Sequence, residues 1–284
     1  EWETLEEVEE WMAFFQIYEG AIYMNNGRQY KIHSLDLDRR IAIARGPIKV
    51  DYYTQVRDRT DIRTSAPTLA YTPLDPAKAD ATPPRRVRLV APPHYGPATV
   101  TKSFSGYTKF KRVTGEFIDS VDLQMPEVSM DTMACWVSVP EDVQAGVRAR
   151  LSISPSPHFL PWEERLRAGL HAASHALVNV LPLFCPCSPG DVYTICDYPA
   201  ATRFRPRCLL MADRSRGGNG VSFQAYGVLV ELMEMALRMV SDCACKGFRG
   251  CPSCVHMLAC AEHNVVLDKE AGRLILEGMV VGLE

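Results

Sequence analysis

Ser241-Asp242-Cys243-Ala244-Cys245-Lys246-Gly247-Phe248-Arg249-Gly250-Cys251-Pro252-Ser253-Cys254 sets four cysteines at the spacing C-x-C-x5-C-x2-C. Two closely spaced thiol pairs, joined by a loop with two glycines, can fold back and present four sulfurs to one point. That is the donor set of a tetrahedral structural zinc, with Cys243, Cys245, Cys251 and Cys254 as ligands. Gly247 and Gly250 are expected at the positive φ that a tight sulfur-bearing turn needs, and Pro252 stiffens the second turn. Lys246 and Arg249 are expected to offset part of the negative charge of a zinc tetrathiolate. An iron–sulfur cluster, disulfides or idle core thiols are the other readings of the same residues. Four protein ligands leave no coordination position for water, so a zinc here holds structure and performs no reaction.

Outward from this loop the chain reads as α+β. On its N-terminal side Val221 to Val240 reads as one long helix, preceded by the turn Gly217-Gly218-Asn219-Gly220 and a buried strand from Arg207 to Met211. A helix is also expected over Trp162 to Leu181, where Leu166, Leu170, Ala173, Leu177 and Val180 recur at spacings of three and four until Pro182. A last helix is expected from Asp268 to about Val280. Residues 1–150 read as β-rich. Asn26-Gly27 lies between alternating apolar residues, a strong hairpin pattern. Further strands are expected at Arg40–Arg45, Asp51–Val56, Val87–Ala91, Thr99–Val113, Glu116–Leu123 and Thr132–Val139, the last with Trp136 inward. Eight prolines between Pro67 and Pro97 mark a surface loop or insertion. The expected organisation is therefore a β-rich part over 1–150, with its proline-rich loop at 67–97, and a helical four-cysteine part over 151–284.

Composition is ordinary for a globular chain, 47% hydrophobic and 23% charged, and 284 residues are enough to bury a substantial core. Ten cysteines diluted through such a length, four of them clustered, point to a reducing compartment rather than a disulfide scaffold. No apolar run approaches the ~20 residues that span a bilayer, so no membrane partner is expected. Six glutamates in the first ten residues are the opposite of a signal peptide's basic start. Glu1 to Phe15 reads as an acidic amphipathic helix without an initiator methionine, as in a piece of a longer protein.

The net charge of −3 conceals an asymmetry: Arg28 to Arg112 holds 17 Lys or Arg against 7 Asp or Glu, whereas Val113 to Asp142 holds seven acids and no base. Within the basic part, Lys102, Phe104, Tyr107, Lys109, Phe110, Lys111 and Arg112 interleave charges with rings. Charges that track phosphates beside rings that stack on bases are the two devices of single-strand binding. A half-buried strand with a solvated basic face fits the same pattern. His171 and His175, one helical turn apart, either pack and hydrogen-bond within the helix or meet a ligand; the metalloprotease glutamate is missing between them. Cys185-Pro186-Cys187 has no second pair at metal-site spacing. Asp213 to Gly220 is a close-packed strand-to-helix turn or a contact for a nucleic-acid backbone. It is no Walker A loop, and neither a Walker A lysine nor a DEAH-type box occurs, so the chain alone is expected to hydrolyse no ATP.

With these residues assembled, the chain resembles the C-terminal region of MrfA-type DNA repair helicases, which include RecQ-like fungal members. The resemblance rests on Tyr18-Glu19-Gly20-Ala21-Ile22-Tyr23, Asp51-Tyr52-Tyr53-Thr54, His171 through Leu177, Asp213 with Gly217 to Gly220, Cys243 through Cys254, and Cys260-Ala261-Glu262-His263-Asn264 followed by Leu267-Asp268-Lys269. It covers most of residues 14–280, weakly through the proline-rich part. It implies an MrfA zinc-binding domain in which Cys243, Cys245, Cys251 and Cys254 hold structural zinc. Ala261 stands where the family usually has glycine, which makes Cys260 a reserve ligand. The family unwinds DNA 3′ to 5′ with ATP and serves interstrand crosslink repair. The resemblance therefore implies a non-catalytic accessory region that guides single-stranded or forked DNA beside the motor domains, in the nucleus if the source is fungal and in the cytoplasm otherwise. A zinc-stabilised protein-interaction or self-association module is the competing expectation, and an independent zinc enzyme a distant third.

Overall fold

Asn26 and Gly27, with φ of 48° and 74°, reverse the chain between β1 (Ile22–Asn25) and β2 (Arg28–Asp36), which pair antiparallel with Asn25 opposite Arg28. Two successive positive φ values define the hairpin turn that matches strand twist, and Asn-Gly is the pair that adopts it most readily. The computed structural model describes residues 3–70, 87–153, 161–195, 207–258, 260 and 262–282. The remaining elements are α1 (Glu10–Gln16), β3 (Ile41–Ile48), β4 (Tyr52–Thr64), β5 (Leu69–Ala70), β6 (Val87–Leu89), β7 (His94–Lys111), β8 (Phe117–Asp122), β9 (Val128–Ser138), α2 (Glu141–Ile153), α3 (Trp162–Val180), β10 (Val192–Tyr193), β11 (Cys208–Asp213), α4 (Val221–Gly227), α5 (Leu229–Asp242), α6 (Lys269–Met279) and β12 (Val280–Gly282). The class is α+β. The middle of the expected proline-rich loop, residues 71–86, lies outside the described residues.

By contacts the chain divides into residues 1–60 with 101–129, and residues 61–100 with 130–284. Position 150, where composition placed the change from β-rich to helical, lies inside α2. In the first unit β1, β2 and β3 form an antiparallel sheet, and β8 pairs with the Gly106–Phe110 part of β7. Tyr18, Ala21, Ile32 and Tyr107 make its small core. Phe104 is buried there too, its ring 5.8 Å from Phe14 and 5.2 Å from Phe15.

In the second unit β11 pairs antiparallel with β9, Leu210 opposite Trp136. Their side chains alternate strictly. Ala134, Trp136, Cys208, Leu210 and Ala212 join one apolar cluster, while Cys135, Val137, Leu209 and Met211 join the larger cluster that contains the helices. A strand with both faces buried reads as a continuous apolar run, which is why Cys208-Leu209-Leu210-Met211-Ala212 shows no polar alternation. The helix α3 lies at the centre of the helical cluster, buried at nearly every position from Arg165 to Val180. Where it meets α6, a Cβ on Gly169 would come within 2.7 Å of Ala271 Cβ, and one on Gly272 within 2.9 Å of Ala172 Cβ. Glycine and alanine on both helices let the backbones approach closely enough to leave no void.

Two helix expectations need correction, and one helix was missed. The described residues before Glu10 are not helical, so the N-terminal helix is only α1; crowded like charges oppose helix over its acidic start. The helix expected over 221–240 is two, α4 and α5, broken at Val228, whose φ of −121° is non-helical. Gly227 and β-branched Val228 together weaken that point. The helix α2 was not anticipated, although Val143, Val147 and Leu151 recur every four residues and are its buried apolar side chains, beside buried Gln144. Its low overall hydrophobicity masked that stripe.

Candidate metal centre

The cysteine loop begins where α5 ends at Asp242 and closes against α3 and α6. Cys243 Sγ lies 3.5 Å from Cys251 Sγ, and Cys254 Sγ lies 3.7 Å from both Cys245 Sγ and Cys251 Sγ. Four sulfurs about 2.3 Å from a tetrahedral zinc stand about 3.8 Å apart, so these separations are the edges of a tetrathiolate site. They are far too long for a disulfide, and all nine described cysteines are free thiols. The four ligating atoms lie within 4.8 Å of one another, room for one ion and not for a multi-iron cluster. Burial pushes the Cys254 thiol up to about 12, whereas hydrogen bonds from Cys245 and Cys251 draw Cys243 down to about 7. A divalent ion must therefore expel the proton of Cys254, which its charge does for a coordinating thiol.

Only Gly250 of the two loop glycines has positive φ, 76°, and a Cβ there would press on Val255 and on Cys254 Sγ. Lys246 and Arg249, expected to offset the site's charge, are exposed. The cation at the sulfurs is Lys269, the first residue of α6, whose Nζ reaches Cys245 Sγ at 3.3 Å and the carbonyls of Cys243 and Cys245 at 2.9 and 3.1 Å. Burial opposes its charge, but the Cys245 hydrogen bond and the surrounding thiols outweigh it and hold the ammonium above its usual range. No local spacing reveals this residue, because it lies 24 positions from Cys245 and is brought in by helix packing.

The loop backbone is gripped from α3. Asn179 Nδ2 donates to the carbonyls of Cys254 and His256, both at 2.9 Å, and His175 Nδ1 meets the Val255 carbonyl at 2.8 Å. His171 Nδ1 meets the Val266 carbonyl at 2.7 Å. Both histidines are buried, and burial lowers the His171 pKa, which favours a neutral ring. Cys260 is not a fifth sulfur at the cysteine site; its Sγ lies 3.5 Å from His171 Nε2.

The Gly-rich turn holds an anion of its own. Asp213 is fully buried and accepts backbone N–H groups of Asn219 and Gly220 at 3.0 Å on Oδ2 and of Ser222 at 2.7 Å on Oδ1. The amides that a phosphate would need are engaged by this carboxylate, which favours the close-packed turn over a backbone contact. Replacing Asp213 by Ala strands three donors, and at about 1 kcal/mol or more each the loss should be about 3–4 kcal/mol in urea unfolding. A loss under 1 kcal/mol would mean that water enters the turn and replaces the carboxylate.

The residues singled out for nucleic acid all lie on β7 or just after it, but not in one role. Phe104 and Tyr107 are buried, Tyr107 with its ring 5.1 Å from Tyr18, so their faces are covered by protein. Phe110 is half-buried, stacked on Tyr53 at 5.5 Å. Lys102 pairs with Asp58 at 2.8 Å in a mostly buried contact. Lys109 pairs with Asp119 and Lys111 with Glu116, both more open to solvent, and Arg112 is exposed.

Fold and site together define an α+β module organised by a structural metal centre of four thiolates. More particularly, residues 173–255, from mid-α3 through the last of the four clustered cysteines, match the MrfA Zn-binding domain. That stretch is thus similar to an MrfA Zn-binding domain, and its four-cysteine cluster fits a structural zinc. It is 25% identical over 285 residues to the ATP-dependent helicase HRQ1 of Saccharomyces cerevisiae, covering 96% of this chain and 23% of that protein. It is 28% identical over 291 residues to hrq1 of Schizosaccharomyces pombe, covering 98% and 24%. With the uncharacterized ATP-dependent helicase YprA of Bacillus subtilis it shares 27% identity over 252 residues, covering 88% and 29%. The chain thus spans about a quarter of the length of these curated relatives. Its fold is similar to that in the crystal structure of DUF1998 helicase MrfA bound to DNA, with a TM-score of 0.57 at 23% identity over 95% of this chain and 31% of that one. The same helicase bound to DNA and AMPPNP gives a TM-score of 0.50 at 21% identity over 95% and 28%. Among the described residues no helix is long and apolar enough to cross a membrane.

Proposed function

We propose that this chain is the non-catalytic C-terminal region of an ATP-dependent DNA repair helicase that acts on interstrand crosslinks in the nucleus, and that it guides a DNA strand beside the motor domains. One observation carries this reading: nearly the whole chain, zinc loop included, aligns with about a quarter of proteins named as ATP-dependent helicases. A zinc with four protein ligands supplies no reaction, so the part played here is positional. Within the first unit the cationic end of β7 is the surface suited to phosphates. Lys109, Lys111 and Arg112 reach solvent there, with Phe110 beside them, and surface ion pairs such as Lys111–Glu116 exchange for phosphate at a cost of about 0–1 kcal/mol. Buried Phe104 and Tyr107 hold the strand in shape rather than stack on bases.

Charge reversal at Lys109, Lys111 and Arg112 should weaken binding to all single-stranded sequences alike. It should also reduce the slope of log affinity against log salt by about 2, at about 0.7 per phosphate contact. Fluorescence anisotropy over a salt series reads both. A triple variant that binds like the parent at every salt concentration would remove this surface from the reading. A second reading, docking of another protein, is favoured by β8, where Phe117 and Ile118 are exposed next to the Lys–acid pairs. Loss of self-association on Phe117→Ser, with DNA affinity unchanged, would select it.

A further inference from the structure

We propose that His171, His175 and Cys260 form a second, buried metal site that takes zinc through two imidazole nitrogens and one thiolate. One ligating atom from each of the three lies within 4.8 Å of the others, and all three residues are buried. The set is separate from the four cysteines, and no other group of this kind occurs among the described residues.

Three features favour ligation over a merely packed cluster. First, both rings are already oriented as metal-bound histidines are. A ring nitrogen that faces a carbonyl at hydrogen-bond distance must carry the proton, since two acceptors would repel. The contacts of His171 Nδ1 with Val266 and of His175 Nδ1 with Val255 therefore fix the tautomer that leaves Nε2 as the ligating atom. Second, the spacing of four on α3 puts the two rings on one helix face, edge to face with centroids 4.2 Å apart. Cys260 Sγ then lies 3.5 Å from His171 Nε2, close to the edge length of a tetrahedron with metal–ligand bonds of about 2.0–2.3 Å.

Third, the backbone around the thiol is built to hold a sulfur anion. His263 and Asn264 both take positive φ, 50° and 60°, uncommon for residues other than glycine, and this aims the Asn264 N–H at Cys260 Sγ at 3.3 Å. The Asn264 side chain closes the loop by bonding the N–H and carbonyl of Met257 at 2.9 and 3.0 Å. Two imidazoles and one thiolate are a donor set that suits zinc and leaves one of four positions, which falls to a water molecule. Loss of a proton from that water cancels the residual positive charge of the buried site. Such an ion would tie α3 to the segment between the cysteine loop and α6.

The test uses the full chain, zinc alone as the probe, and metal counting by mass spectrometry after loading and desalting. About two zinc ions per chain are expected, falling to about one in Cys260→Ser and in His175→Gln. X-ray absorption at the zinc edge of the unaltered chain should show imidazole nitrogen as well as sulfur, a readout that needs no variant to fold. One zinc per chain with an all-sulfur shell overturns the proposal. So does a second ion that Cys260→Ser retains in full.

Discussion

Cys254→Ser is expected to release one equivalent of zinc and to lower the unfolding temperature by more than about 15 °C. A structural zinc contributes on the order of 10 kcal/mol to the folding of its loop, comparable with the whole stability of a domain. A region of this unit's size shifts by about 2–4 °C per kcal/mol. The effect should spread because the loop is held from several sides: α5 runs into Cys243, Lys269 of α6 binds the carbonyls of Cys243 and Cys245, and Asn179 of α3 binds those of Cys254 and His256. Without the ion these contacts have no fixed partner geometry, and the ends of α5 and α6 lose a common anchor. Hydrogen exchange should therefore speed up first over 229–258 and 269–279, and less in β1 to β3, whose ladders and core belong to the other unit. If the variant keeps all its zinc and its unfolding temperature, the assigned ligand set is wrong.

Asp268→Ala should cost about 4–6 kcal/mol. The Asp268 carboxylate is fully buried, caps α6 through the Ala271 N–H at 2.9 Å, and pairs with Arg165 Nε at 3.0 Å. Removing it takes away a helix cap, at about 1 kcal/mol, and leaves the buried Arg165 guanidinium without its counter-charge, at about 3–5 kcal/mol. Burial outweighs these hydrogen bonds and raises the carboxyl above its ordinary range. The folded chain thus holds this proton more tightly than the unfolded chain. Its contribution to stability is fully present below the ordinary carboxylate pKa and is lost as pH rises through the folded value. A pair under such strain is costly to break yet cheap to replace as a whole. Asp268→Ser with Arg165→Leu, which keeps the cap and removes both charges, should recover most of the loss and flatten the acid slope. Urea unfolding that finds the double variant less stable than Asp268→Ala would refute this account.

The spacing Cys243, Cys245, Cys251 and Cys254 was legible because a tetrahedral metal needs donors, and close pairs with a turn between them supply those donors locally. The Asn26-Gly27 hairpin, α3 and the buried run of β11 were legible for the same reason: turn chemistry and apolar period are properties of neighbouring residues. Burial on β7 was not. Lys102 through Arg112 read equally well as a binding face and as a strand, and only the packing of Phe14, Phe15 and Tyr18 places Phe104 and Tyr107 inside.

By itself, then, the amino-acid sequence pointed to a structural zinc and to the four cysteines that would hold it, and it carried the α+β class and the family resemblance, since each depends on residue types at short range. Tertiary structure decided which cation meets the thiolates, bringing Lys269 rather than Lys246 or Arg249. It decided that the amides of Asn219, Gly220 and Ser222 close on Asp213. It also decided that Cys260 leaves the four cysteines and joins His171 and His175, 89 and 85 positions away. Partners so distant along the chain are chosen by which helix faces pack together, and no local pattern encodes that choice.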